Sequence, residues 1–310
     1  MTPEDSCAAV IAMALRTGLD PRGADLLQAG PHHTWRLSRS GAVAKVWAPG
    51  TAFETAARDT RIAKWLLHNG IRTPRPAGNS TYPLTHTGGR YHLQVSFCED
   101  LGDRPCGPGD LADVLRCLHA LPVPAGLGLT RFDPCRDLAG RIRDLPPGTL
   151  APDQERHLRA VLADTRTAWR TAPWDPPCVI HGDATPSNCL MTEHGPALID
   201  FERAATGPSQ WDQAAGSWAR DAFGTPPERY EEFARAYGHD VTTHDEGRTY
   251  RMMTPVFAIA AWLYAAEHAR TEPDLQDEAD RRLATVLTDP LPPAPWGWLP
   301  ASRASAQATT

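Results

Sequence analysis

Between Asp25 and Gly50 apolar and polar positions alternate in short runs, and Trp35–Leu37 and Ala42–Trp47 read as two strands of a hairpin around Ser38–Gly41. The period then changes. Over Phe53–Asn69 the residues Ile62, Ala63, Leu66 and Leu67 fall on one helical stripe, which Gly70 stops. After the Pro-rich RTPRPAG comes strand-like YHLQVSF (Tyr91–Phe97), then a polar connector from Glu99 to Gly109. Beyond it the pattern is mostly helical: Asp110–Leu121, Pro152–Trp169, Trp211–Phe223, Pro227–Tyr237, Arg248–His268 and Asp274–Leu287. Among these helices sits the strand–loop–strand block CVIHGDATPSNCLMTEHGPALIDFE, with Cys178–Ile180 and Ala197–Ile199 as its strands. The opening MTPEDSCAAVIAMALRTGL reads as an amphipathic helix. No internal repeat is visible. The expectation is an α+β chain of two lobes, with a small β-rich lobe over residues 1–95 and a connecting segment over 96–103. A larger, mainly helical lobe then covers 104–295, and an irregular Pro/Ala/Ser-rich tail covers 296–310.

Composition narrows the class. The chain has 310 residues, enough for two lobes with buried cores, and ten Trp argue against disorder throughout. Glu4 and Asp5 precede the first apolar stretch where a secretion signal would carry positive charge. The longest apolar run, Val256–Ala266, is too short to span a bilayer. The seven cysteines are scattered with no C-x-x-C pair, so neither a zinc site nor a disulfide framework is suggested. A cytoplasmic protein fits best, with no membrane association. Residues 1–98 hold eleven Lys or Arg against six Asp or Glu, whereas residues 99–310 hold twenty against thirty-one. The acidic majority excludes nucleic acid as the main partner, while the basic first part suits a polyphosphate.

The sharpest chemical signal is H-x-D-x-x-x-x-N, formed by His181, Asp183 and Asn188, with Asp200 twelve residues later. The short strands leading to Asp183 and Asp200 set polar groups at adjacent strand ends, which is the set of parts that phosphoryl transfer requires. In that reading Asp183 holds an acceptor hydroxyl and takes its proton. Asn188 and Asp200 offer oxygens to Mg²⁺, and His181 supports the loop. Lys45 lies mid-strand in VAKV, and only Lys45 and Lys64 are lysines among 31 basic residues. A compact ammonium there suits the α- and β-phosphates of a nucleotide. Such a lysine needs a carboxylate partner on the following helix. Asp59 shares the stripe with Ile62 and Leu66, while Glu54, the alternative, is off it.

HGDATPSN and LIDFERAATGPSQWDQA resemble the catalytic loop and its continuation in the aminoglycoside phosphotransferase and choline kinase family, relatives of the protein kinases. VLRCLHALP and HNGIRTPRP resemble further motifs of that family, and the likeness covers residues 25–270. It implies a two-lobed protein-kinase-like fold, with Asp183 as catalytic base, Asn188 and Asp200 as Mg²⁺ ligands and Asp212 as a brace for the loop. It also implies a hinge around Gln94–Cys98, with Phe97 and Cys98 at the nucleotide and Thr34 touching phosphates. Two positions depart from the family pattern. Asp59 stands where Glu is usual, and the loop from Gly30 to Thr34 lacks G-x-G-x-x-G, leaving ATP or GTP as donor and His32 and His33 as turn residues.

The acceptor is a small-molecule alcohol in this reading. Residues 228–280 hold twelve acidic against five basic residues, which suits a cationic antibiotic, with Asp221, Glu231, Glu232 and Glu267 as candidate contacts. Trp218, Tyr250, Trp262 and Tyr264 are candidate pocket walls or core. A kinase of choline, a sugar or a nucleoside is the alternative enzyme, and a non-catalytic nucleotide-binding module is the alternative outside catalysis. No obligate protein partner is evident.

Overall fold

The computed structural model of the chain describes residues 1–270 and 272–300. Helix α1 (Pro3–Thr17) opens with a reciprocal cap, in which the Thr2 hydroxyl accepts the Asp5 N–H and the Asp5 carboxylate accepts the Thr2 N–H. Strands β1 (Asp25–Ala29), β2 (His33–Leu37) and β3 (Ala42–Val46) follow, then α2 (Phe53–His68), β4 (Leu84–His86), β5 (Leu93–Glu99) and α3 (Pro108–His119). Next come α4 (Pro134–Arg143), α5 (Pro152–Thr171), β6 (Cys178–Ile180), β7 (Cys189–Thr192), β8 (Gly195–Leu198) and β9 (Ala205–Gly207). Helices α6 (Gln210–Phe223), α7 (Pro227–Tyr237), α8 (Arg248–His268) and α9 (Gln276–Val286) complete the order. The mixed composition is the α+β architecture that the hydrophobic pattern implies.

The chain divides into two compact units. The first is residues 1–129 with 181–204, and the second is 130–180 with the chain from 205 onward. The lobes read from sequence are continuous stretches, whereas these units are not, because the β7–β8 hairpin returns to the first.

In the first unit β1 to β5 form one antiparallel sheet in the order β1-β2-β3-β5-β4. Alternation sorts its side chains by face. Trp35, Leu37, Ala42, Ala44, Val46, Leu93, Val95 and Phe97 pack against Ala9, Val10, Met13 and Ala14 of α1. Burying each large apolar side chain contributes about 1.5–3 kcal/mol, so α1 is an integral layer. The opposite face carries Thr34, Lys45 and Ser96 abreast, Lys45 pairing with Thr34 on one side and Ser96 on the other. The β7–β8 hairpin is tied in by main-chain hydrogen bonds: Cys106 N–H to Cys189 O (2.8 Å), Met191 N–H to Arg104 O (2.7 Å) and Leu198 N–H to Arg72 O (3.0 Å).

The second unit pairs β6 with β9 antiparallel and surrounds them with helices. Trp218, Tyr250 and Trp262 are buried in its core, and Trp218 stacks on Phe257 at 5.4 Å. Over its described residues, 296–300, the tail expected to be irregular has no helix or strand, and it is held to the core. Trp298 is 1 % exposed, and the Trp296 and Trp298 N–H groups bond Asp221 O (3.0 Å) and Ala222 O (2.8 Å). Two large indoles hold it there. Residues 301–310 of the expected tail lie outside the described residues. Among the described residues no helix is long and apolar enough to cross a membrane.

Candidate active site

The strand period of β3 points Lys45 away from α1, onto the face shared with Thr34 and Ser96. Its Nζ donates to Asp200 Oδ1 at 2.9 Å and makes a shorter contact with Glu202 Oε1, and it sits 4.3 Å from the Trp47 ring centroid. Burial works to lower the ammonium, but the carboxylates of Asp59, Asp200 and Glu202 outweigh it and push it up to about 12. Glu202 shows the reciprocal effect. Burial raises it, yet the His32 hydrogen bond and the Lys45 charge hold it down at about 2.

Asp200 follows β8 at φ 63°, a left-handed conformation uncommon outside glycine, and this turn delivers its carboxylate to Lys45. Asp183 is exposed on the loop before β7. Asn188, closing the short 3₁₀ turn Pro186–Asn188, donates its amide Nδ2 to the Asp183 carbonyl (2.9 Å) and to Asp183 Oδ2 (3.2 Å). Gly182, at φ 81°, admits no other residue: a Cβ there would stand 2.3 Å from the Arg203 carbonyl oxygen. His181 is buried and donates from Nε2 to the Ile199 carbonyl at 2.9 Å, a support for the loop.

Asp59 requires a correction. Among the described residues Asp59 makes no direct ion pair with Lys45; its Oδ1 accepts the Phe201 N–H at 3.0 Å. It acts on Lys45 through its field alone. Burial, together with the Asp200 and Glu202 charges, raises Asp59 against the pull of Lys45 and that N–H. Glu54 pairs with Arg61 at 3.2 Å. Thr34 stands beside Lys45 in the adjacent strand. Phe97 points to the α1 core, and its carbonyl accepts the Ala77 N–H at 3.0 Å. Cys98 faces the Lys45 side opposite Val43, and burial pushes its thiol up to about 12.

Two participants escaped the sequence reading. Glu202 takes the place expected of Asp59, and the only hint was a carboxylate two residues after Asp200. His32 is no simple turn residue. Its Nδ1 accepts the Ala48 N–H (2.8 Å), so Nε2 carries the hydrogen and donates to Glu202 Oε2 (3.0 Å). His33 is likewise buried rather than in a turn, 2.7 Å from the Ser6 hydroxyl. In the second unit, two of the acidic candidates are already paired: Asp221 with Arg220 (2.7 Å) and Tyr250 (2.7 Å), and Glu267 with Arg141 (2.7 Å). Trp218, Tyr250 and Trp262 are core, while Tyr264 is exposed.

Among the described residues no group of three His, Cys, Asp or Glu forms a ready metal cage. The Asn188 amide spends its N–H bonds on Asp183, which leaves its Oδ1 as an acceptor, and its main-chain carbonyl accepts the N–H of Ile199, the residue before Asp200, at 3.0 Å. Two hard oxygens fit Mg²⁺, which fills its remaining positions with water and phosphate.

A strand lysine paired with the aspartate after a returning hairpin, with an exposed aspartate on the preceding loop, defines a kinase-like phosphotransferase. The chain belongs to the phosphotransferase enzyme family known as APH, whose family model matches residues 32–255. It is accordingly an enzyme, a small-molecule phosphotransferase with an alcohol group as acceptor. Among solved structures it is similar to a microcompartment-associated aminopropanol kinase (TM-score 0.68, 15 % identity, 90 % of this chain and 95 % of that one). It is also similar to a choline/ethanolamine kinase family protein from Mesorhizobium loti (TM-score 0.63, 19 % identity, 99 % and 98 %). A third is a spectinomycin phosphotransferase in complex with ADP and spectinomycin (TM-score 0.62, 15 % identity, 89 % and 93 %). At these identities the likeness is one of fold. No curated protein sequence matches the chain.

Proposed function

We propose that the enzyme transfers the γ-phosphate of ATP, or of GTP, to a hydroxyl of an amine-bearing small molecule. The observation that carries this reading is the joining of Lys45, Asp200 and Glu202 in one cluster, on the same unit as the exposed Asp183 held by Asn188. Lys45, with Thr34 beside it, binds the α- and β-phosphates, and Cys98, on the Lys45 face of β5, borders the nucleobase. Asp183 accepts the acceptor's hydroxyl proton as that oxygen bonds to the γ-phosphorus and the bond to the departing diphosphate oxygen breaks. Asn188 Oδ1 and Asp200 would hold Mg²⁺, which when bound neutralises charge on the phosphates. Asp59 holds the Phe201 N–H and so positions the turn that carries Asp200.

An amine-bearing acceptor is supported by the acidic balance of residues 99–310 and by the names of the similar structures, an aminopropanol kinase and a choline/ethanolamine kinase family protein among them. An antibiotic of that chemistry and a metabolic amino alcohol both satisfy it. Asp183→Ala is expected to keep nucleotide binding by calorimetry while losing transfer by roughly 10²–10⁴-fold. Transfer at the wild-type rate would remove Asp183 as base. Acceptor-dependent ADP release, measured with aminoglycosides, amino alcohols, neutral sugars and nucleosides, tests the substrate class. A response confined to uncharged acceptors would sink the amine assignment.

A further inference from the structure

In the first unit a groove of about 440 Å³, with Lys45 not among its lining residues, lies between the end of α2, the segment after it, α3 and the β7–β8 hairpin. Leu67, Ile71, Val114 and Pro196 give it apolar walls. Arg72 and Arg75 also line it, and neither side chain has an ion pair or hydrogen bond among the described residues. The acidic residue at the groove, Asp113, is already paired with Arg116 (3.2 Å), and His194 adds a further nitrogen. Thr73, also lining the groove, is 1 % exposed, and its Oγ1 has no hydrogen-bond partner among the described residues. Buried hydroxyls rarely go unsatisfied, and this one lines the same groove as the two guanidiniums.

We propose that this groove is a second binding site, for a small organic oxyanion, a carboxylate or a phosphate monoester carrying an apolar body. The planar guanidinium forks of Arg72 and Arg75 match an oxyanion, and the volume lies within the range of small-molecule sites. The site is also coupled to the Asp200 turn. Arg72 O accepts the Leu198 N–H two residues before Asp200, and α2, whose last turn lines the groove, carries Asp59 with its bond to Phe201 N–H. An occupant therefore presses on two main-chain anchors of that turn. This coupling rests on the nucleotide reading above; the binding itself does not.

Cys117, exposed on α3 and lining the groove, reports occupancy. Alkylation of Cys117 by iodoacetamide, followed by peptide mass spectrometry, is expected to slow roughly threefold at phenyl phosphate near twice its Kd. Benzoate and inorganic phosphate separate the carboxylate from the bare anion, and benzyl alcohol, with no charge, is expected to give no protection. Protection should vanish in Arg72→Gln/Arg75→Gln and persist in Lys45→Met, which separates the groove from the nucleotide site. No protection by any oxyanion, or equal protection in the double variant, overturns the proposal. Protection without a change in ADP affinity leaves the site standing and removes the coupling.

Discussion

Asp200 adopts a left-handed backbone at φ 63°, and the local cost, about 1–3 kcal/mol, is offset by what the turn secures: the Lys45 contact on one side and the Asp59–Phe201 hydrogen bond on the other. Asp59→Asn keeps an acceptor for the Phe201 N–H, and the charge it removes is disfavoured by burial as well as favoured by Lys45, so the two effects oppose each other. It is expected to melt near the wild-type temperature, with Asp59→Ala clearly below it in the same calorimetric scan. Glu202 gives a pH dependence with a definite sign. Its carboxyl is held at about 2 against an ordinary 4.5, so the folded state gains stability above pH 4.5 and loses it as pH falls toward 2. The melting temperatures of wild type and Glu202→Gln should therefore converge over that interval; a constant difference would remove the ion pair as the cause. Gly182→Ala is expected to cost about 2 kcal/mol or more and to disable transfer, because the Arg203 carbonyl must move for any Cβ to fit. Lys45, Asp183, Asn188 and Asp200 were legible in the sequence because their spacing within short strands and loops is local. The Glu202–Lys45 contact was not. It depends on a hairpin bringing back a residue 157 positions distant.

At the scale of elements, period and punctuation carried most of the reading. Helices α7 and α8 begin and end where the sequence pattern sets them, at Pro227–Tyr237 and Arg248–His268. Strands β4 and β9, three residues each, are too short to show a period. Helix α4 shows its stripe only through Leu138 and Ile142 among charged neighbours, and its start depends on Asp133, whose carboxylate caps the Arg136 N–H at 3.0 Å. The segment after α9 forms no helix or strand, as its Pro-rich composition implies, but composition gives no sign that it packs: Trp298 is buried beneath Arg282, which lies 5.4 Å from its ring and bonds Glu278 at 2.8 Å. Trp298→Ala should cost about 3–5 kcal/mol in urea unfolding; a loss under 1 kcal/mol would mean that this segment is not part of the core.

At the scale of the molecule, hydrophobic patterning gave the α+β class but could not show that the first unit is assembled from two separated stretches, since pairing partners far apart in sequence leave no local trace. Residues 1–129 alone lack the hairpin that satisfies the Arg104 and Arg72 carbonyls and the Cys106 N–H. That fragment is expected to melt without cooperativity by circular dichroism, and adding residues 181–204 in the same chain should restore a cooperative transition. The interrupted layout has a meaning for descent as well. Crossovers after residues 129, 180 and 204 would swap whole blocks between parents, while Lys45, Asp183, Asn188 and Asp200 all pass together from one of them. Lineages built this way can diversify by shuffling one part of the gene while the reacting groups are inherited as a set.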